Sequence, residues 1–255
     1  MSLMDTNQLN FDTPAALASA LADRVAAELS VAVVERKQAV MAVSGGKTPE
    51  LFFHYLAKAD IDWKNILITL VDERFVPVTD ERSNERLVRS TLLQNFASKA
   101  RFYGLYHPSI TAELGAFSAA SRINGLPQPF DVVVLGMGSD GHTASFFPGG
   151  DRLKQAIDPH CRALVLPIHA KGLTEARLTL TLPIIAQSRF IALHLEGREK
   201  LEVFEQALQD GPEKELPIRA VLRHSLHPIQ VYWAPNEEDK RDVAGNNALF
   251  DTISV

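Results

Sequence analysis

The 255-residue chain has a single cysteine, no excess of basic residues and no long apolar run. One thiol, Cys161, cannot form an intrachain disulfide framework. No apolar stretch reaches the roughly 18 to 20 residues that cross a bilayer, and the first residues do not resemble a signal peptide. The net charge is -5, which provides no basic field for nucleic acid or an anionic membrane surface. We therefore expect a cytoplasmic protein with neither nucleic-acid nor membrane partners.

Apolar residues make up 46% of the chain, enough for a substantial core at this length. They occur as short continuous runs that alternate with helical patterns, the first of which is an amphipathic helix over 13–29. The predicted strands are 39–43, 66–71, 132–135, 163–166, 178–182, 190–195 and 229–233, and further helices are predicted over 49–57, 83–96 and 198–208. Strands that are apolar throughout indicate a parallel sheet covered on both faces. We predict one α/β domain over 1–255, with a doubly wound, mostly parallel open sheet (Rossmann-like) and helices on both faces.

The first glycine turn follows the strand 39–43 and opens the next helix. It consists of Ser44, Gly45, Gly46, Lys47 and Thr48. Backbone N–H groups at such a turn form a suitable seat for a phosphate. A nucleotide-binding P-loop would need a glycine five positions before Gly46, where this chain has a methionine. The turn is therefore a candidate phosphate site, with an ordinary strand-to-helix turn as the alternative.

The second glycine turn, over residues 136–142, matches the pattern Gly-x-Gly-x-x-Gly that is typical of dinucleotide binding. That reading requires a helix directly after the glycines, whereas Pro148 and two glycines interrupt the chain within about two turns of Gly141. Dinucleotide binding is thus a weak alternative. The turn also carries Asp140 and His142, and in open α/β sheets ligands gather where strands end at their carboxyl side. We expect these two turns, over 44–48 and 136–142, to converge on one cleft with the loop 72–74 that follows the strand 66–71.

His142 is the candidate general base, because an imidazole can take and return a proton near neutral pH. Asp140, two residues earlier, is a candidate to orient it. The other seven histidines lie in contexts that indicate no chemistry; they are His54, His107, His160, His169, His194, His224 and His227. No second histidine or cysteine lies near His142 at ligand spacing, so we expect no metal and no cofactor.

Four further residues could complete a site for an anionic substrate. Asp72 and Arg74 end the strand 66–71, and Arg74 offers a planar fork of donors. Arg177 precedes the strand 178–182, and Lys200 lies at the head of the helix 198–208. Solvated surface charge is the alternative for each of them.

Taken together, these segments resemble the 6-phosphogluconolactonases, within the family that also contains glucosamine-6-phosphate deaminase (isomerase). The matching segments are 44–49, 71–76 with 83–84, 136–149, 176–181 and 197–200. The resemblance implies a phosphate site formed by the 44–48 turn with Arg177 and Lys200, substrate contacts from Asp72 and Arg74, and His142 as the base supported by Asp140. Two residues depart from the pattern of the family. Lys47 stands where a small hydroxyl residue is more frequent, and Phe146 replaces the usual leucine.

Within that family, Phe147 favours lactone hydrolysis over deamination. The resemblance implies that the deaminases have a glutamate at this position, which pairs with the histidine for ring opening, and an apolar side chain cannot accept its proton. We therefore expect hydrolysis of a phosphorylated sugar lactone in the pentose phosphate pathway, by a monomer or small homo-oligomer. The alternatives are a glucosamine-6-phosphate deaminase and a sugar-phosphate sensor without catalysis.

Overall fold

The computed structural model describes residues 5–239 and places them in ten strands, eight α-helices and two 3-10 helices. The strands are β1 (Thr6–Asn10), β2 (Ala39–Val43), β3 (Ile66–Leu70), β4 (Asp72–Arg74), β5 (Arg101–Tyr103), β6 (Val132–Leu135), β7 (Val165–Ile168), β8 (Arg177–Leu180), β9 (Phe190–Glu196) and β10 (Ile229–Ala234). The α-helices are α1 (Pro14–Arg36), α2 (Glu50–Leu56), α3 (Asn84–Thr91), α4 (Ala112–Asn124), α5 (Leu153–Ala156), α6 (Leu182–Ala186), α7 (Arg198–Ala207) and α8 (Ile218–His224). The 3-10 helices are Trp63–Asn65 and Asn95–Lys99. None of the helices in this part of the chain has the length and apolar character of a membrane span.

Seven strands form one sheet in the order β1-β10-β9-β6-β2-β3-β5, and every neighbouring pair is parallel. The residues of β2, β3 and β6 are all buried, which explains why these strands are continuous apolar runs in the sequence. This confirms the predicted doubly wound α/β fold. From β2 the chain proceeds outward through β3 to β5, and from β6 it proceeds the other way. The order therefore reverses between β2 and β6, where such sheets bind ligands at their carboxyl ends.

The remaining strands form a second, antiparallel sheet in the order β4-β8-β7. Two predicted strands, 163–166 and 178–182, therefore exist with shifted bounds but lie outside the parallel sheet. The connection between β7 and β8 is too short for a parallel crossover, which needs a dozen or more residues. The segment 72–74, predicted as the polar end of a strand, is itself the short strand β4.

The two sheets are joined at Val71, the single residue between β3 and β4. Its N–H donates to the carbonyl of Val43 on β2 at 3.0 Å, and its carbonyl accepts from the N–H of Leu180 on β8 at 2.8 Å. The backbone of one residue thus bonds to the parallel sheet through its N–H and to the antiparallel sheet through its carbonyl.

Helix α1 contains the predicted apolar stripe and extends beyond its predicted end. The Thr13 hydroxyl accepts from the N–H of Ala16 at 3.1 Å, and Pro14 occupies the first turn. The helix ends where Lys37 adopts a left-handed conformation with φ 68°.

The helix predicted over 83–96 is shorter and ends at Thr91. Asn95, with φ 50°, is in the left-handed region that an α-helix cannot contain.

Candidate active site

The predicted cleft is a cavity of about 350 Å³ at the carboxyl ends of β2 and β6. His142 and all nine predicted substrate-binding residues line it: Ser44, Gly45, Gly46, Lys47, Thr48, Asp72, Arg74, Arg177 and Lys200. Asp140 lies behind His142 and does not line the cavity. Asn84, Phe147 and His194 also line it. The structure therefore brings the predicted residues together, and it adds a histidine whose sequence context indicated no chemistry.

The turn of residues 44–48 presents its backbone to the cavity. Within residues 5–239, no acceptor is bonded to the N–H groups of residues 45–48. A Cβ on Gly45 would lie 1.9 Å from Oδ1 of Asn84, so only glycine fits there. Gly46 has φ 91°, which strains any other residue. The Ser44 hydroxyl accepts from the N–H of Gly136 at 3.1 Å and ties the two glycine turns together.

His142 is held by Asp140 within a tight turn. Nδ1 of His142 lies 2.5 Å from Oδ1 of Asp140, which also accepts from the backbone N–H of His142 at 3.1 Å. A carboxylate at Nδ1 places the imidazole proton there and leaves the lone pair of Nε2 available. Burial raises the pKa of the Asp140 carboxyl, but the hydrogen bonds and charge of His142 outweigh burial and lower it overall. An imidazole oriented in this way can accept a proton at Nε2.

The position of the imidazole depends on a glycine and a phenylalanine. A Cβ on Gly138 would lie 2.3 Å from Cε1 and Nδ1 of His142. On another side, the ring of Phe147 lies 4.5 Å from that of His142 between centroids. The imidazole is thus packed against the backbone of its own turn and against an apolar ring.

The antiparallel sheet supplies the polar wall opposite these turns. Arg74 and Arg177 are directly paired across β4 and β8. Nη1 of Arg74 donates to Oδ1 of Asn84 at 3.0 Å, and Asn84 in turn donates to the backbone carbonyl of Asp72 at 2.9 Å. The Asp72 carboxylate accepts from the hydroxyl of Ser145 at 2.6 Å. Arg74 therefore has a fixed position while its Nε and Nη2 keep no partner within the described residues.

Of the four cationic side chains that line the cavity, one has a carboxylate partner and three have none among the described residues. Arg177 forms an ion pair with Glu175 at 2.6 Å. Lys47, Arg74 and Lys200 pair with no carboxylate of residues 5–239. The pKa of Lys200 is lowered overall, because the effect of burial outweighs the opposing charges of Glu196 and Glu199. The cavity is consequently cationic although the whole chain is acidic, as an anionic substrate requires.

A buried carboxylate, Glu73, organises one side of the site. It accepts hydrogen bonds from the N–H groups of Arg74, Asn84 and Glu85, each at 2.8 Å, and from the Ser83 hydroxyl at 3.1 Å. It thereby fixes the start of α3, and with it Asn84, against β4. Burial raises the pKa of Glu73 to about 7, against the lowering effect of those four hydrogen bonds. Sequence reasoning missed this residue because three of its four partners lie ten or more positions away.

Stability is expected to depend on pH through Glu73. Its pKa is raised above the ordinary 4.5, so the stability it contributes is fully present below pH 4.5 and is lost as pH rises through about 7. Relative to Glu73→Gln, the free energy of unfolding of the wild type should fall by roughly 2 to 3 kcal/mol between pH 5 and 8. Urea unfolding at several pH values measures this, with the exposed Glu81→Gln as control. Parallel pH curves for the wild type and Glu73→Gln would contradict the expectation.

Comparisons with known proteins identify the family of this chain. Residues 12–233 match the family model described as glucosamine-6-phosphate isomerases/6-phosphogluconolactonase. A 6-phosphogluconolactonase of Rhizobium meliloti is 50% identical over 232 residues, which cover 91% of this chain and 100% of the relative. One of Mesorhizobium japonicum is 52% identical, covering 86% and 91%. The crystal structure of a 6-phosphogluconolactonase from Shewanella baltica has a TM-score of 0.88 and 45% identity, covering 91% of this chain and 99% of that one. The chain belongs to the glucosamine-6-phosphate isomerase/6-phosphogluconolactonase family.

Proposed function

We propose that this protein hydrolyses 6-phospho-D-glucono-1,5-lactone to 6-phosphogluconate, a step of the oxidative pentose phosphate pathway, as a cytoplasmic monomer or small homo-oligomer. The relatives named 6-phosphogluconolactonase support this substrate. The observation that carries the proposal is the pairing of Nδ1 of His142 with Asp140, which leaves Nε2 as a base inside a cationic cavity.

The proposed reaction uses His142 twice. Nε2 takes a proton from water, and the water oxygen forms a bond to C1 of the lactone. The bond between C1 and the ring oxygen then breaks, and the imidazolium returns the proton to that oxygen. Asp140 stabilises the imidazolium during the interval, since its carboxylate remains ionised beside Nδ1. The net result is the addition of one water molecule and an open-chain acid.

Two groups are candidates for holding the developing oxyanion, namely Arg74 and the backbone N–H groups of the turn 136–142. Arg74 is the better candidate. The N–H groups of Gly136, Gly138, Gly141 and His142 are engaged by protein acceptors, which leaves little of that turn for a ligand. Arg74 lines the cavity with Nε and Nη2 available. A donor in this role contributes roughly 3 to 4 kcal/mol to the transition state in studied enzymes.

The phosphate of the substrate is assigned to the turn of residues 44–48 together with Arg177 and Lys200. The N–H groups of residues 45–48 supply neutral donors, and the two cations supply charge. Lys47 belongs to the same turn and adds a cation to the cavity wall. The sequence resemblance implies that a small hydroxyl residue is more frequent at this position. Phosphate and lactone carbonyl then bind within one cavity.

Removing a phosphate cation should weaken binding more than chemistry. For Lys200→Ala and Arg177→Ala we expect KM to rise about 10- to 100-fold, because each charge-assisted contact contributes about 1.5 to 3 kcal/mol. The value of kcat should change much less, since neither residue contacts the reacting carbonyl. Steady-state kinetics over a range of lactone concentrations measures both. An unchanged KM in both variants would remove these residues from the phosphate site.

The proposed activity is tested by generating the lactone in place with glucose-6-phosphate dehydrogenase and following its disappearance above the spontaneous rate. Ammonia release from glucosamine 6-phosphate tests the deaminase alternative, which Phe147 beside the imidazole disfavours. Binding of 6-phosphogluconate without turnover of the lactone would instead support a sensor. Rapid lactone hydrolysis without ammonia release is the expected result.

A further inference from the structure

Glu196, the last residue of β9, is bound by a buried histidine. Nε2 of His194 lies 3.0 Å from Oε1 of Glu196, and the two side chains leave the same face of the strand. His194 is only 2% exposed, and the side chain of Glu196 is 20% exposed. Because a carboxylate can only accept, the proton of this bond is on Nε2 of His194.

The other nitrogen of His194 has no such partner. Nδ1 is buried without a hydrogen-bond partner among the described residues, and the ring packs edge-on against Phe52 of α2. An unsatisfied buried acceptor destabilises the folded state, whereas an apolar side chain of similar volume would not. The contact that distinguishes His194 from an apolar residue is therefore its bond to Glu196.

Lys200 lies four residues after Glu196, in the first turn of α7, and lines the cavity with His194. The charge of Glu196 acts on Lys200, yet the two side chains form no ion pair. A carboxylate released from His194 would find in Lys200 a cation of the cavity wall, four residues along the chain, that has no carboxylate partner among the described residues. Such an ion pair would have to break before Lys200 could bind a phosphate.

We propose that His194 is a positioning residue that holds the Glu196 carboxylate away from Lys200 and so keeps the Lys200 ammonium available for the substrate phosphate. The inference rests on the proposed function in assigning Lys200 to the phosphate. Glu196 itself contributes no atom to the cavity wall, so His194 acts on the substrate through two intermediaries.

The test is a set of four variants. His194→Leu removes the donor, and we expect KM for the phosphorylated lactone to rise about tenfold, the effect of one weakened charged contact. His194→Gln keeps an amide donor within reach of Glu196 and should restore KM to within about threefold of the wild type. Glu196→Gln in the His194→Leu background removes the competing carboxylate and should likewise restore KM. Glu196→Gln alone should leave KM within about threefold of the wild type.

Rescue distinguishes positioning from packing. A purely structural role of His194 predicts that the double variant is at least as impaired as His194→Leu, and that result would overturn the inference. A large rise of KM in Glu196→Gln alone would overturn it as well, because Glu196 would then be needed for its charge. Thermal unfolding of each variant checks that it is folded.

Binding of inorganic phosphate, measured by calorimetry, separates failure of this inference from failure of the proposed function. Phosphate affinity should fall in His194→Leu and recover in the double variant whether or not the lactone is the substrate. If the wild type hydrolyses the lactone and binds phosphate while no variant changes either property, the inference is wrong and the proposed function stands. If the wild type does not hydrolyse the lactone but phosphate affinity follows the expected order, the proposed function fails and the positioning role of His194 stands.

Discussion

Replacing His142 with asparagine is expected to lower kcat for the phosphorylated lactone by roughly 10²- to 10⁴-fold, the usual contribution of general acid–base catalysis. KM should stay within about threefold, because the cations of the proposed phosphate site lie on other elements and the cavity keeps its shape. Asparagine retains a polar side chain but cannot exchange a proton near neutral pH. Initial rates, corrected for spontaneous hydrolysis, give both constants.

A matched control exists on the surface of the same chain. Nδ1 of His169 lies 3.4 Å from Oδ2 of Asp151, and neither residue lines the catalytic cavity. His169→Asn therefore removes an imidazole paired with a carboxylate at a site without substrate, and its kcat should equal that of the wild type. A kcat near normal in His142→Asn would assign the base to another group.

Gly138→Ala is expected to lower kcat by about 100-fold or more without altering any polar group. Its Cβ would lie 2.3 Å from the imidazole of His142, so the ring must turn out of its bond with Asp140. Misplacement of a reacting group by about 1 Å can cost 10²-fold in rate. The loss should appear in kcat, since the proposed phosphate site consists of the turn 44–48 with Arg177 on β8 and Lys200 on α7.

Gly136→Ala is the comparison for that variant. It lies in the same turn, but a Cβ there would meet no atom within 4 Å. We expect its loss of kcat to be at least tenfold smaller than that of Gly138→Ala. Equal losses in both variants would mean that the turn tolerates no added side chain for a reason other than the imidazole.

The parallel sheet and both glycine turns could be predicted from the sequence because their signals are local. Continuous apolar runs such as 39–43 and 132–135 are typical of strands buried on both faces, and the turns follow them directly. The edge strand β1 is the opposite case. Its sequence, Thr-Asn-Gln-Leu-Asn, is polar and mostly exposed, so no apolar pattern marks it. Helix α4 was not predicted either, although the sequence indicates it: Thr111 caps the helix and an alanine-rich segment follows.

The site could be predicted as far as its residues lie next to strand ends. His142, Arg74 and Lys200 satisfy that condition. The role of His194 could not be predicted, because a histidine inside an apolar strand is more often a core residue. Only the fold shows that it lines the same cavity as Lys200. The need for glycine at position 45 likewise depends on Asn84, which arrives from a helix 39 positions later.

Val71 has a consequence for the selectivity of the cavity. Its two hydrogen bonds lock the parallel sheet, which carries the turns 44–48 and 136–142, to the antiparallel sheet, which carries Arg74 and Arg177. Under the proposed function both ends of the substrate contact both sheets. The distance between the proposed phosphate position and His142 is therefore fixed by the placement of one sheet relative to the other. Phosphorylated lactones with one carbon fewer or more between those groups would place C1 away from His142 and would be discriminated by rate.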